Sequence, residues 1–212
     1  MKLNCKTSMS LAAAMGCLAM SANAATVAIN NHDFEVSGGA LDVPSWDQDR
    51  TGDGDGYSGI NSSAPLTGKS VWINMDGIVS QTTGEAIVAG TTYTLTVDIG
   101  QQNSWVPDGG IIRLYGSASG PTVALAEFDS GSLPASGDTL LNQTTSFVAT
   151  AGQATGQFIG VAVIGGVSGG TPGTQVSFDN VRLDATAAAI PEPSAVALFA
   201  IGGLALLRRR RK

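Results

Sequence analysis

The sequence predicts an all-β fold, an antiparallel β-sandwich of jelly-roll type, with a signal peptide before it and a short hydrophobic helix behind it. Three observations carry this. No long stretch between residues 25 and 186 repeats with helical period. Short runs rich in Val, Ile, Thr and Ser alternate apolar with polar residues, and clusters of Gly, Pro, Asp and Asn punctuate them, which is the pattern of half-buried strands. About ten such runs are too many to leave as one open sheet; two stacked sheets cover the edges and bury one face of each.

The elements follow in order. Residues 26–29 and 32–36 give the first runs. Residues 70–75 and 78–82 come next, separated by a turn at Asp76-Gly77. Residues 91–100 alternate most clearly, with Tyr93, Leu95, Val97 and Ile99 on one side and Thr92, Thr94, Thr96 and Asp98 on the other. Runs at 110–116, 122–128, 144–150, 157–163 and 175–183 complete the set. In the last of these, Val176 and Phe178 hold one parity and Val181 and Leu183 the other. Both pairs reach a core only if one residue is added between them, so a bulge is predicted at Asp179-Asn180. The expected core is Phe34, Tyr93, Leu95, Val97, Ile99, Leu114, Phe147, Val161, Val163, Phe178, Val181 and Leu183.

Both ends of the chain read as addresses. Residues 1–24 have the layout of a signal peptide: Lys2 and Lys6, an apolar stretch at 11–20, and Ala22-Asn23-Ala24 as the cleavage site. Lipoprotein processing at Cys17, after Ala14-Met15-Gly16, is the alternative. Both cysteines, Cys5 and Cys17, fall in this leader, so the mature protein would have no thiol nucleophile, no disulfide and no Cys-based zinc site. At the other end, residues 187–194 form a linker containing Pro191-Glu192-Pro193-Ser194, where the two prolines hold the chain extended. The apolar run 195–207 would make a helix roughly 20 Å long against a hydrocarbon core of about 30 Å. Arg208, Arg209, Arg210, Arg211 and Lys212 behind it should stay cytoplasmic. Read from the residues alone, this is an anchor helix at the C-terminus.

The order Pro-Glu-Pro-Ser, apolar run, arginine cluster resembles the PEP-CTERM sorting signal of exported Gram-negative proteins. That resemblance covers 191–212. It implies recognition and processing by exosortase, a membrane enzyme, with export across the inner membrane and transient anchoring by the helix before the protein reaches the envelope or the extracellular space.

The domain between the addresses, residues 25–186, is long enough for one sizeable core. It holds sixteen of the seventeen acids but only Arg50, Lys69, Arg113 and Arg182 as cations. Such a surface repels nucleic acid and anionic lipid and suits divalent cations and neutral or cationic partners, so no nucleic-acid partner is expected.

Five segments in sequence are similar to the galactose-binding-like jelly rolls found among carbohydrate-binding modules: Asn30-Asn31-His32-Asp33-Phe34-Glu35, Val43-Pro44-Ser45-Trp46, the strand around Gln81, Gly90 to Leu95, and Val176 to Leu183. The resemblance implies that the first and last strands run close together and that an acid from each, Glu35 and Asp179, holds a structural Ca2+. Asp33 could add an oxygen. No sugar-contact motif accompanies it.

A second calcium candidate is the Gly-punctuated acidic stretch 47–56, where Asp47, Asp49, Thr51 and Gly52 fit the opening of a D-x-D-x-[DNST]-G loop, with Asp53 and Asp55 following. Position 12 of that loop is Ser58 rather than Glu, so it is not an EF-hand. A solvated acidic loop is the plainer reading. Trp105, between Gln101-Gln102-Asn103-Ser104 and Val106-Pro107-Asp108, offers a stacking surface among amides and acids for a sugar ring.

The only histidine, His32, has no nucleophile beside it, and no hydrolase, nucleotide or His-rich metal motif occurs. The sequence therefore points away from an enzyme, toward a non-catalytic module associated with exopolysaccharide. A structural matrix or biofilm protein without a defined ligand, and a glycoside hydrolase acting through paired carboxylates, are the alternatives.

Overall fold

The structure, a computed structural model, describes residues 24–39, 41–49, 58–62, 65–74, 77–101, 106–107, 109–131, 133, 137–165 and 174–188. The leader, the sorting segment from Pro191 onward, Trp105, Asp53 and Asp55 lie outside them. Among the described residues no helix is long and apolar enough to cross a membrane.

Asn23–Ala188 form one compact unit of two sheets. The first contains, in spatial order, β10 (Thr139–Val148), β6 (Thr91–Gly100), β12 (Thr174–Ala187), β4 (Ser70–Asn74) and β3 (Ser58–Asn61). Two shorter strands, β1 (Ala24–Val27) and β7 (Val106–Pro107), also pair with β12. The second sheet runs β2 (Asp47–Asp49), β5 (Ile78–Ala86), β11 (Phe158–Gly165), β8 (Gly110–Gly116) and β9 (Ala126–Asp129). Every pairing is antiparallel except β7 with β12.

Alternation builds the core. On β6 the side chains of Tyr93, Leu95, Val97 and Ile99 are fully buried, while Thr92, Thr94 and Thr96 on the other face are half-buried. Across the gap stand Val79, Ile112, Leu114, Ile159, Val161 and Val163 of the second sheet. The Tyr93 hydroxyl is satisfied in place: it donates to Ala86 O at 2.9 Å and accepts from Val88 N at 3.0 Å. All twelve residues expected in the core are buried.

Several elements differ from expectation. Residues 32–36 are a turn, not a strand: Asn31 and Phe34 take left-handed backbone, with φ of 47° and 51°. The Phe34 ring is fully buried and meets Trp46 at 5.2 Å between centroids, and this packing holds a conformation that is unfavourable for a bulky residue. Asp47 and Asp49 lie on a strand, β2, paired to β5, where the sequence suggested a wrapping loop. Consecutive strands β4 and β5 belong to different sheets, so the turn between them is a crossover rather than a hairpin.

Candidate functional site

The last strand, β12, is the axis of the first sheet. Its N-terminal half pairs with β4, its C-terminal half with β1, and its other edge with β6. The bulge expected from the parity switch is present: Asp179 opposes Asp98, but Arg182 opposes Thr96, so β12 carries one extra residue between them. Asn180 takes left-handed backbone there, with φ of 51°. The bulge frees the Val181 N–H to donate to His32 O at 2.9 Å, which ties the 31–36 turn to β12.

A second bulge faces the first from the other side of β6. Between Leu140 and Gln143 the register on β10 also slips by one residue, and Asn142 is left-handed, with φ of 53°. The two bulges clamp one side chain. Asn142 N donates to Asp98 Oδ1 at 2.6 Å, and Asn180 Nδ2 donates to Asp98 Oδ2 at 2.9 Å. Arg182 closes the circuit by donating to Asn142 Oδ1.

Asp179 sits beside this clamp and is only 2% exposed. Burial is the main force raising its carboxyl, to about 7; the Asn180 N–H at 2.7 Å pulls the other way, and the charges of Asp98, Glu35 and Asp33 push it up further. A buried aspartic acid whose carboxyl is pushed up to about 7, with other acids in its electrostatic surroundings, is an unusual group to find on a structural strand.

Glu35, the other acid the jelly-roll resemblance singled out, is on the exposed part of the turn. Its Oε1 accepts from Lys69 N at 2.9 Å, and Lys69 Nζ donates to Glu35 O at 2.8 Å. The structure therefore brings Glu35, Asp33 and Asp179 into one electrostatic neighbourhood. Among the described residues, no three of His, Cys, Asp and Glu close on a single point. Asp47 and Asp49 are exposed on β2 and make no part of this cluster. His32 is exposed, with Nδ1 3.7 Å from Asp33 Oδ1.

Sequence reasoning missed Asp98. It stands at the end of the Thr92-Thr94-Thr96 face, where alternation alone makes it another solvent-facing residue. The signal that could have found it is its position opposite the parity switch on β12, where the bulge re-aims Asn180 toward it.

Comparison with known proteins gives the family. The model of the HpiC1-like family, described as HpiC1 cyclase, matches residues 25–184, and that of the PEP-CTERM protein-sorting motif matches residues 189–212. The second match marks the chain for export and for sorting by exosortase, a membrane enzyme. No curated protein matches the chain. Among solved structures, the Stig cyclase Fisc of Fischerella sp. TAU, in complex with (3Z)-3-(1-methyl-2-pyrrolidinylidene)-3H-indole, is similar at 22% identity and TM-score 0.64, over 78% of this chain and 100% of that one. A cyclase from the same organism, in complex with 4-(1H-indol-3-yl)butan-2-one, gives 21% identity and TM-score 0.62 over 78% of this chain and 100% of that one. A CBM4 carbohydrate-binding module is more distant, at 17% identity and TM-score 0.47, over 74% of this chain and 99% of that one.

The expectation of a non-catalytic module is thereby corrected, because residues 25–184 match the model of a cyclase family. The chain belongs to the HpiC1-like cyclase family.

Proposed function

We propose that the exported domain is a cyclase that works by proton transfer, with Asp179 as the acid and a small substrate carrying an electron-rich nitrogen heterocycle. The observation that carries this reading is the buried Asp179 carboxyl, held protonated up to about pH 7. A general acid is most effective when its pKa lies near the working pH. The indole compounds bound by the Fischerella cyclases support the substrate class.

The step balances without a co-reactant. The Asp179 O–H gives its proton to a ring or alkene carbon, leaving a carboxylate and a substrate cation. A carbon–carbon bond then forms within the same molecule and quenches the cation. The proton released as the ring regains its aromatic bonding returns to Asp179. The net change is an isomerisation. Asp98, fixed by Asn142 and Asn180, supplies negative charge beside the developing cation without having to reorganise.

A second reading concerns the same carboxyl. Glu35 and Asp179 would hold a structural Ca2+, with backbone carbonyls supplying the rest of the six to eight oxygens the ion takes. The negative charges of Asp98, Glu35 and Asp33 acting on Asp179 favour it, since a divalent cation relieves that repulsion. The ion would bind the folded state only, stabilising it by about 2.7 kcal/mol at a hundredfold excess over Kd.

The two readings demand opposite protonation of Asp179, so one experiment separates them. The carboxyl of Asp179 is titrated by carbon-detected NMR in chelator and again in millimolar calcium, and binding of 4-(1H-indol-3-yl)butan-2-one is measured by calorimetry. A midpoint near 7 in both conditions, with probe binding, supports the acid. A midpoint that drops below 4 only in calcium assigns the residue to the ion. An ordinary midpoint without calcium overturns the acid reading.

A further inference from the structure

Among the described residues, three buried side-chain polar atoms have no hydrogen-bond partner: Ser70 Oγ, Gln175 Oε1 and Ser177 Oγ. Buried polar groups left unpaired are rare and cost stability, so three together call for a reason. All three belong to one face. Alternation sets Gln175, Ser177 and Asp179 on the outward side of β12, opposite the core residues Val176 and Phe178. By the same rule Ser70 and Trp72 face outward from β4, and Asp98 and Gly100 from β6. Register then places Ser177 between Trp72 and Gly100, and Gln175 beside Asn74. Gln175 spends its Nε2 on Asn74 Oδ1 at 2.8 Å, so its Oε1 remains as an acceptor only.

Pro65 and Leu66 lie over this strip at Gly100. A Cβ placed on Gly100 would stand 2.9 Å from Leu66 Cγ and 3.1 Å from Pro65 Cγ, so Leu66 occupies the hollow that the missing side chain leaves. The segment turns at Gly68, whose φ of 83° favours glycine, and is moored to Glu35 through Lys69.

We propose that this strip is the ligand seat and that Leu66 is its displaceable cover. The ligand class follows from the lining. Gly100 and half-buried Trp72 make a flat floor for a ring. Gln175 Oε1 requires an N–H or O–H donor, and the Ser70 and Ser177 hydroxyls pair with either kind of group. Asp98 and Asp179 exclude anions. The occupant is thus a neutral or cationic ring compound with at least one donor, lying on Gly100 in place of Leu66. This deepens the cyclase reading and rests on it for the identity of the probe, but the seat has a test of its own.

That test compares Ser177→Ala and Leu66→Ala with the unaltered full-length protein, in thermal melting and in calorimetric binding of 4-(1H-indol-3-yl)butan-2-one. Ser177→Ala removes an orphaned hydroxyl, so its melting temperature should rise by about 2–4 °C while affinity falls tenfold or more. Leu66→Ala should bind the probe several-fold tighter, because the cover no longer competes for the hollow. A lowered melting temperature for Ser177→Ala, or unchanged affinity in both variants, overturns the seat. If the unaltered protein binds no probe, the indole assignment fails, and the melting arm alone then decides: a rise keeps the seat and a fall removes it.

Discussion

Asp98 and Asp179 face each other on neighbouring strands, and one amide serves both: Asn180 Nδ2 donates to Asp98 Oδ2 at 2.9 Å and reaches Asp179 Oδ2 at 3.5 Å. Like charges directly opposed across an antiparallel pair destabilise it; burial first, and then the charge of Asp98, push the Asp179 carboxyl up to about 7, which eases that repulsion. Stability should therefore depend on the ionisation of Asp179.

In metal-free solution, stability should fall as pH rises from about 4 to about 7 and then level off. The folded state holds the Asp179 proton up to about 7, whereas the unfolded chain releases it near 3.8, so raising the pH through this window favours unfolding. The full gap corresponds to no more than about 4 kcal/mol. Denaturant unfolding at pH 4, 6 and 8 measures it. Asp179→Asn should flatten this part of the profile, and a profile identical in the variant would show that Asp179 titrates normally.

The two asparagine bulges can be tested by what each substitution preserves. Asn180→Gly keeps the left-handed backbone and loses only the amide contacts, for about 1 kcal/mol. Asn180→Val loses the contacts and adds the strain of a β-branched residue at φ of 51°, for about 2–4 kcal/mol in total. Equal costs for the two substitutions would mean that the bulge relaxes when the side chain changes.

Much of the fold was legible because it is written in local alternation. The strands at 91–100 and 110–116 have the bounds the pattern gave, and the bulge at Asp179-Asn180 follows from parity alone. What was not legible depends on distant packing. Phe34 breaks the expected strand at 32–36, its ring packed against Trp46 in the core. β2 is three residues of Asp-Gln-Asp on a sheet edge and has no apolar signal to read. The site was half legible: the order of segments pointed to Glu35 and Asp179, whereas Asp98 is made special by Asn142 and Asn180, 44 and 82 positions away in sequence. The orphaned Ser70, Gln175 and Ser177 look like ordinary polar residues of their strands until the sheet is assembled and they are buried without partners.

Leu95, fully buried at the middle of β6, tests the sandwich itself. Leu95→Ala removes most of a side chain packed between the sheets, and the loss of burial plus the cavity left behind should cost about 2–5 kcal/mol. Unfolding in urea, with the slope unchanged and the midpoint lowered, is the expected result. A cost under 1 kcal/mol would require the second sheet to collapse onto the vacated space.

The sorting segment makes a prediction that does not depend on the site. Its match at 189–212 ends in Arg208-Arg209-Arg210-Arg211-Lys212, five cations expected to stay on the cytoplasmic side and so to retain the apolar run 195–207 in the membrane until exosortase acts. That run is short for a permanent span, so retention should depend on the cations more than on apolar length. Deleting 208–212 should leave the protein unprocessed or released before processing, seen as a change in mass and in the fraction that carries it. Replacing the four arginines by lysines should preserve membrane retention, because the charge is kept, and loss of processing in that variant would show that the enzyme reads the arginines themselves. A deletion variant with the mass and location of the full protein would mean that the cationic tail takes no part in sorting.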